Sequence, residues 1–436
     1  MKLNKKTTHL TPHTHEGAPA TRTTPEAQLR RSVMACMLWE DTFYESGESI
    51  ADRILSAVAK VPANTVAEIA VEAREQMNLR HVPLLIVRAM AKLDTHKYLV
   101  ADTLARIIQR PDELAEFLAI YWKNGRQPLS AQVKKGLARA FTKFSEYQLA
   151  KYNRDADVTL RDVMFLSHAK PANKTQTKLF ERVADNTLKT PDTWEVALSS
   201  GADKGETFSR LIAEEKLGGL ALLRNLRNMI QSGVDKSLIR EALSKMNTKR
   251  ILPFRFIAAA RYAPEFEAEL ETAMFQALAD APRLWGHTVI AIDTSGSMGT
   301  GLSNKSDMSR RDAAAALAMI LREVCEQVTV IAFGTTAGVI RPRRGFALND
   351  EIGSGRFGHG TNVGLAAQLA EQQNPDRIII VTDEQSHDPL ANPRGLGYLI
   401  NVAAYKNGIG YGKWIHLDGF SEAIVKYITA FEQENL

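Results

Sequence analysis

Up to about Trp285 the apolar residues recur at three- and four-residue intervals, in blocks of roughly ten to fifteen residues. Residues 49–61 (SIADRILSAVAKV), 66–77 (VAEIAVEAREQM), 82–93 (VPLLIVRAMAKL) and 97–109 (KYLVADTLARIIQ) show the pattern. Each block winds into a helix with one buried stripe. Breakers separate the blocks at Pro62-Ala63-Asn64, Pro111, Asn124-Gly125, Pro171 and Pro191. Asp192 and Thr193 are placed to start a helix, and Pro253 opens or interrupts a later one. β-Branched alternation is almost absent here, which predicts a stack of helical hairpins, each burying its stripe against the next.

After Trp285 the period changes. Residues 287–293, 328–333, 377–382, 399–403 and 414–417 are short apolar runs, and 311–326 and 420–431 are helical. Apolar strands alternating with helices predict a doubly wound parallel sheet covered on both faces. Ligands of such sheets bind at the carboxyl ends of strands, near the point where strand order reverses.

Charge sharpens this division. The chain of 436 residues carries a formal charge of +5. From His287 onward there are 13 Lys+Arg against 16 Asp+Glu, which leaves 42 against 34 in the preceding part. The basic excess lies wholly in the helical part, the sign expected of a phosphate-binding surface. No apolar run approaches the roughly 18 residues of a membrane span, and no membrane partner is expected. Basic residues near the N-terminus have no apolar stretch behind them, so residues 1–26 read as a flexible polar leader rather than a secretory signal. Cys36 and Cys325 fit no metal or redox spacing and point to buried thiols in a reducing cytoplasm.

Candidate chemistry gathers at the strand ends. Asp293, Ser295 and Ser297 share one turn in Asp293-Thr294-Ser295-Gly296-Ser297. Thr361 follows in Gly358-His359-Gly360-Thr361-Asn362, before a helix, and Asp383 ends the 377–382 run. Hydroxyls and carboxylates are hard oxygen donors, suited to Mg2+ or Mn2+ rather than Zn2+. The competing account of the first turn is a helix cap. No P-loop, no His-Glu-x-x-His and no paired-Cys cluster is present, so no catalytic residue is expected.

These five positions resemble the metal-ion-dependent adhesion site of von Willebrand A domains. That resemblance implies that Ser295, Ser297 and Thr361 approach the metal directly, Asp293 and Asp383 directly or through water, with one position left for an acidic group of a partner. The helical part is similar to the TROVE module of the Ro ribonucleoprotein family. The similarity lies in Leu166-Ser167-His168-Ala169-Lys170-Pro171, in Thr193-Trp194-Glu195, in Leu222-Leu223-Arg224-Asn225-Leu226, and in Ile251-Leu252-Pro253-Phe254-Arg255-Phe256 followed by Arg261-Tyr262. The phrases stand in the family's order and the resemblance covers roughly residues 27–436.

The resemblance implies HEAT-like helical repeats over 27–286, closed into a monomeric ring by a von Willebrand A domain over 287–436. It implies single-stranded RNA ends in a basic cavity, a small Y-like RNA on the outer surface, and RNA quality control beside an exoribonuclease in some members. Lys151, Arg154, Arg161, His168 and Lys170 form the basic stretch around the family's RNA-contacting segment, with Tyr152 available to stack on a base. His168 also stands where a helix should end, so a capping role competes there. A different class of function, a metal-dependent protein-binding scaffold, uses the same five oxygen positions without RNA.

Overall fold

The computed structural model describes residues 21–22, 24–35, 47–153, 156–249, 251, 253–302, 308–383, 386–403, 409–410, 412–418 and 423–435. By contacts the chain divides into two units, one of Ala51–Ala279 and one combining the described residues of Met1–Ile50 with those of Asp280–Leu436.

The first unit is helical throughout. Its buried residues follow the periodicity: Val66, Ile69, Ala70 and Ala73 line one helix (Ala63–Glu75), and Leu160, Val163, Met164 and Ser167 line another (Leu160–Ser167). Helices contact both their sequence neighbour and the next but one, as in stacked repeats. Helix starts are chemically marked. Ser130, Ser145, Thr159, Asn173, Thr193, Asp203 and Asp235 each accept a backbone N–H of the first turn. Such a cap contributes about 1 kcal/mol. Pro253 does open a helix (Pro253–Tyr262). A buried ion pair locks two neighbouring hairpins. Arg74 donates from Nη2 to Glu113 Oε1 at 2.7 Å and from Nε to the Ile107 carbonyl at 3.0 Å. Glu113 Oε2 accepts from the backbone of Gln109 at 2.7 Å and of Arg110 at 3.0 Å.

In the second unit the strands are β1 (Thr21–Arg22), β2 (Leu284–Asp293), β3 (Cys325–Phe333), β4 (Ala337–Val339), β5 (Arg377–Thr382), β6 (Leu396–Asn401), β7 (Ile409–Gly410) and β8 (Ile415–Asp418). Six of them form one sheet in the order β4-β3-β2-β5-β6-β8. All neighbours are parallel except β3 and β4. The sheet is therefore mixed, with an antiparallel edge that the apolar pattern did not predict, because Ala337-Gly338-Val339 is short and weakly apolar. One face packs Val289, Ala291, Ile378 and Ile380 against Val363, Ala366 and Ala370 of the helix Val363–Glu371. The alternate residues Ile290, Ile292, Ile379 and Val381 are equally buried, so both faces are covered. The C-terminal helix (Ala423–Asn435) is tied down through Glu432, which accepts from Arg377 at 2.8 and 2.5 Å and from Tyr398 at 3.0 Å.

The helical unit begins at Ala51, later than the expected residue 27, and ends at Ala279 rather than 286. The helix Pro25–Ala35 packs against β8, and β1 pairs with β7, so this early segment belongs with the sheet. Of the polar leader expected over 1–26, residues 1–20 and 23 lie outside the described residues.

Candidate functional site

Strand order reverses at β2, which has β3 on one side and β5 on the other. The carboxyl ends of β2 and β5 consequently lie side by side, and Asp293 and Asp383 are both fully buried there. Asp293 Oδ1 accepts the Ser295 backbone N–H at 2.8 Å, and Oδ2 accepts the Thr382 hydroxyl at 2.6 Å. The Ser295 and Ser297 hydroxyls stand 3.3 Å apart, Ser295 just before and Ser297 within the short turn Gly296–Gly299. Gly296 donates to the His359 carbonyl at 3.0 Å, which joins this turn to the loop carrying the buried Thr361. That loop is fixed from three sides. Asn362 donates to the Gly334 carbonyl at 3.0 Å, Gly360 to Thr335 Oγ1 at 3.0 Å, and His387 through its backbone to the Thr361 carbonyl at 2.9 Å. Gly334 is needed for this closure, since a Cβ there would collide with the carbonyls of Gly358 and Phe357.

Burial, then the Asp383 charge, pushes the Asp293 carboxyl up to about 7, while hydrogen bonds from Thr382 and Ser295 act the other way. One cation is built in. Arg310 opens the helix Arg310–Val324 and is itself buried, with Nη1 donating to Asp383 Oδ2 at 3.0 Å. Its backbone N–H bonds the Thr300 carbonyl at 2.9 Å, and Ser309 and Asp312 close a capping box around it. Ser297 is half-buried and Gly296 and His359 are exposed, so the cluster opens to solvent on that side. Among the described residues no group of three or more His, Cys, Asp or Glu side chains gathers. This cluster has two carboxylates and otherwise hydroxyls, which is a donor set for a hard cation and a poor one for Zn2+.

The structure thus brings the turn of Asp293, Ser295 and Ser297 beside the Thr361 loop and the end of β5 with Asp383. Sequence reasoning missed Arg310, Thr382 and the supporting His387. Arg310 carries no local signal, since Ser309-Arg310-Arg311-Asp312 reads as an ordinary helix start.

The basic stretch of the helical unit is more dispersed. Lys151 lies in the last turn of Glu146–Tyr152 and is partly buried, and Arg154 lies outside the described residues. Arg161, His168 and Lys170 are exposed on and just after Leu160–Ser167. His168 is the left-handed C-cap of that helix, with φ of 55°, so it does cap the helix and still leaves its imidazole exposed. Tyr152 does not serve as an open platform: it is partly buried, with the Arg110 guanidinium 4.8 Å from its ring centroid. Trp194 packs against Phe208 at 6.3 Å between centroids. In the other unit Arg344 pairs with Glu323, and the Arg343 carbonyl accepts from Arg322 at 2.7 Å. Sequence reasoning also missed Phe165, which stands exposed between Arg161 and His168.

A sequence profile of the TROVE domain matches residues 32–188 and 182–328. Telomerase protein component 1 of Rattus norvegicus and that of Mus musculus are each 22% identical over 309 residues, covering 50% of this chain and 12% of the relative. The chain therefore spans only a small part of these relatives. The crystal structure of the Deinococcus radiodurans Ro (RSR) protein is similar with a TM-score of 0.64 and 16% identity, over 95% of this chain and 100% of that one. At that identity the likeness shows the fold.

Proposed function

The chain belongs to the TROVE domain family, and from that premise we propose that it is a non-catalytic RNA-binding protein of the Ro type. The observation that carries the reading is the profile match across 32–328, which includes the exposed cationic segment of Arg161, His168 and Lys170. Its ligands are single-stranded ends of misfolded or non-coding RNA, held by the basic helical repeats, and a small Y-like RNA. Lys and Arg side chains neutralise phosphates, so affinity falls steeply with salt.

The sheet unit is read as a von Willebrand A domain. Asp293, Ser295, Ser297, Thr361 and Asp383 would hold Mg2+ or Mn2+, which supplies a Lewis-acidic centre that can take one carboxylate oxygen from outside. The chain's own residues perform the remaining work. Thr382 and the Ser295 N–H orient Asp293, Arg310 orients Asp383, and the bond from Gly296 to His359 holds the Thr361 loop against the first turn. The side chains around this cluster are accounted for by positioning, and the metal is assigned a binding rather than a hydrolytic role.

The test is binding of the purified protein to a small duplex RNA with and without a single-stranded 3′ tail, across a salt series. Tail-dependent, salt-sensitive binding without shortening of the RNA is expected. Alanine at Arg161, His168 and Lys170 together should weaken it roughly tenfold or more and flatten the salt dependence. Absence of binding to either RNA, with Mg2+-dependent capture of an acidic peptide instead, would favour the metal-dependent protein scaffold. The solvent-open edge at Ser297 and His359 is the observation on that side.

A further inference from the structure

The helix Leu160–Ser167 places an aromatic ring where its core does not need one. Leu160, Val163, Met164 and Ser167 form the buried stripe, while Arg161, Asp162, Phe165 and Leu166 face outward. Phe165 is 55% exposed. The Arg161 guanidinium, one turn earlier, lies 5.8 Å from its ring centroid. His168 ends the helix, exposed and held in a left-handed cap by bonds from its own and the following backbone N–H to the Phe165 and Met164 carbonyls. A cation and a ring thus stand at i and i+4 on one exposed stripe, and an exposed imidazole follows at the left-handed end of the same helix.

The surroundings choose the occupant. From 160 to 178 the exposed basic groups are Arg161, His168, Lys170, Lys174 and Lys178. Asp162 is the one acidic residue of that segment, and its carboxylate is engaged by the Thr159 backbone at 2.9 Å and hydroxyl at 2.7 Å. An apolar ring framed by cations repels a cationic partner and suits a polyanion that also carries flat π-faces. An unpaired nucleobase flanked by its phosphates has that chemistry.

We infer that Phe165 is a base-stacking platform for one unpaired nucleotide of bound RNA, with Arg161 and His168 taking the flanking phosphates or the base edge. This rests on the RNA-binding reading above and adds to it the residue that supplies the non-electrostatic part of affinity. Stacking tolerates any base, so the platform selects unpaired over paired nucleotides rather than a sequence.

The experiment uses the full chain and a short single-stranded RNA carrying one 2-aminopurine, scanned along the strand. Wild-type protein should change the probe's fluorescence strongly at one position, and Phe165→Trp should preserve that signature. Phe165→Ala should abolish it and weaken binding about five- to thirtyfold, with an unchanged salt slope. Arg161→Ala should lower the slope by about one, the signature of a lost phosphate contact. Circular dichroism should match wild type, because the ring is outside the core. If wild type binds RNA and Phe165→Ala binds equally well with the same probe signal, the platform is wrong and the RNA reading stands. If wild type binds no RNA, both fall. A Phe165→Ala variant that keeps RNA affinity but loses a protein partner assigns the ring to a protein interface and overturns the platform.

Discussion

Asp293 is the residue at which the cluster's electrostatics are most open to test. Its carboxyl is held at about 7 in the folded chain, above the ordinary 3.8. A group raised in this way contributes stability that is complete below its unfolded value and disappears as pH rises through its folded value. In a chelator the sheet unit should therefore lose stability as pH climbs from about 4 to 7. Millimolar Mg2+ should restore it at neutral pH, since metal binding and proton binding compete for the same carboxylate. Thermal melts across that pH range, with chelator or Mg2+, read this directly. Asp293→Asn should flatten the pH slope in chelator and abolish the Mg2+ response; a variant that still responds to Mg2+ would remove Asp293 from the ligand set. Arg310 belongs to the same balance. Arg310→Met breaks a buried pair with Asp383, a change that costs about 3–5 kcal/mol. Mg2+ should recover part of that loss.

Among the elements, the loop before Val363–Glu371 depends on close backbone approach. Gly334→Ala places a Cβ against the Gly358 and Phe357 carbonyls, so the Thr361 loop must move. The expected outcome is a Mg2+-induced rise in melting temperature reduced to less than about half of wild type, with the helical unit's circular dichroism unchanged; a full Mg2+ response would show that the loop tolerates the shift. Elements differed in how plainly they stood in the sequence. Residues 377–382 were legible as a strand because the four central residues of β5, Ile378 to Val381, are apolar in succession and buried on both faces. β4 and the helix Gly345–Ile352 were not, being short and dependent on neighbours for burial. Arg377 and Glu432 are two charges inside an apolar layer, and nothing local marks them as partners across 55 positions.

For the molecule as a whole, the proposed reading assigns the two units different ligands. The helical part holds the basic excess, and the oxygen cluster lies in the acidic part. Hydrogen exchange gives the matching prediction. Mg2+ should raise amide protection around 293–297 and 358–362 and leave the helices between 63 and 184 unchanged, whereas tailed RNA should protect 160–170. Protection of 160–170 by Mg2+ alone would contradict the division of labour.

By itself the sequence determined the two periodicities, the change near Trp285, the oxygen donors at three strand-end loops and the ordered phrases of the family. All of these are local, because helix and strand periods and turn chemistry are written within a few residues of one another. Tertiary structure decided what is joined across distance. It set Asp293 against Thr382, 89 positions away, and brought in Arg310 as the buried counter-charge. It assigned the helix Pro25–Ala35 to the sheet unit, and turned Phe165 outward while Val163 and Met164 filled the core. Contacts of that kind arise from the packing of whole faces, and a helix stripe states only that a face is buried, not what buries it.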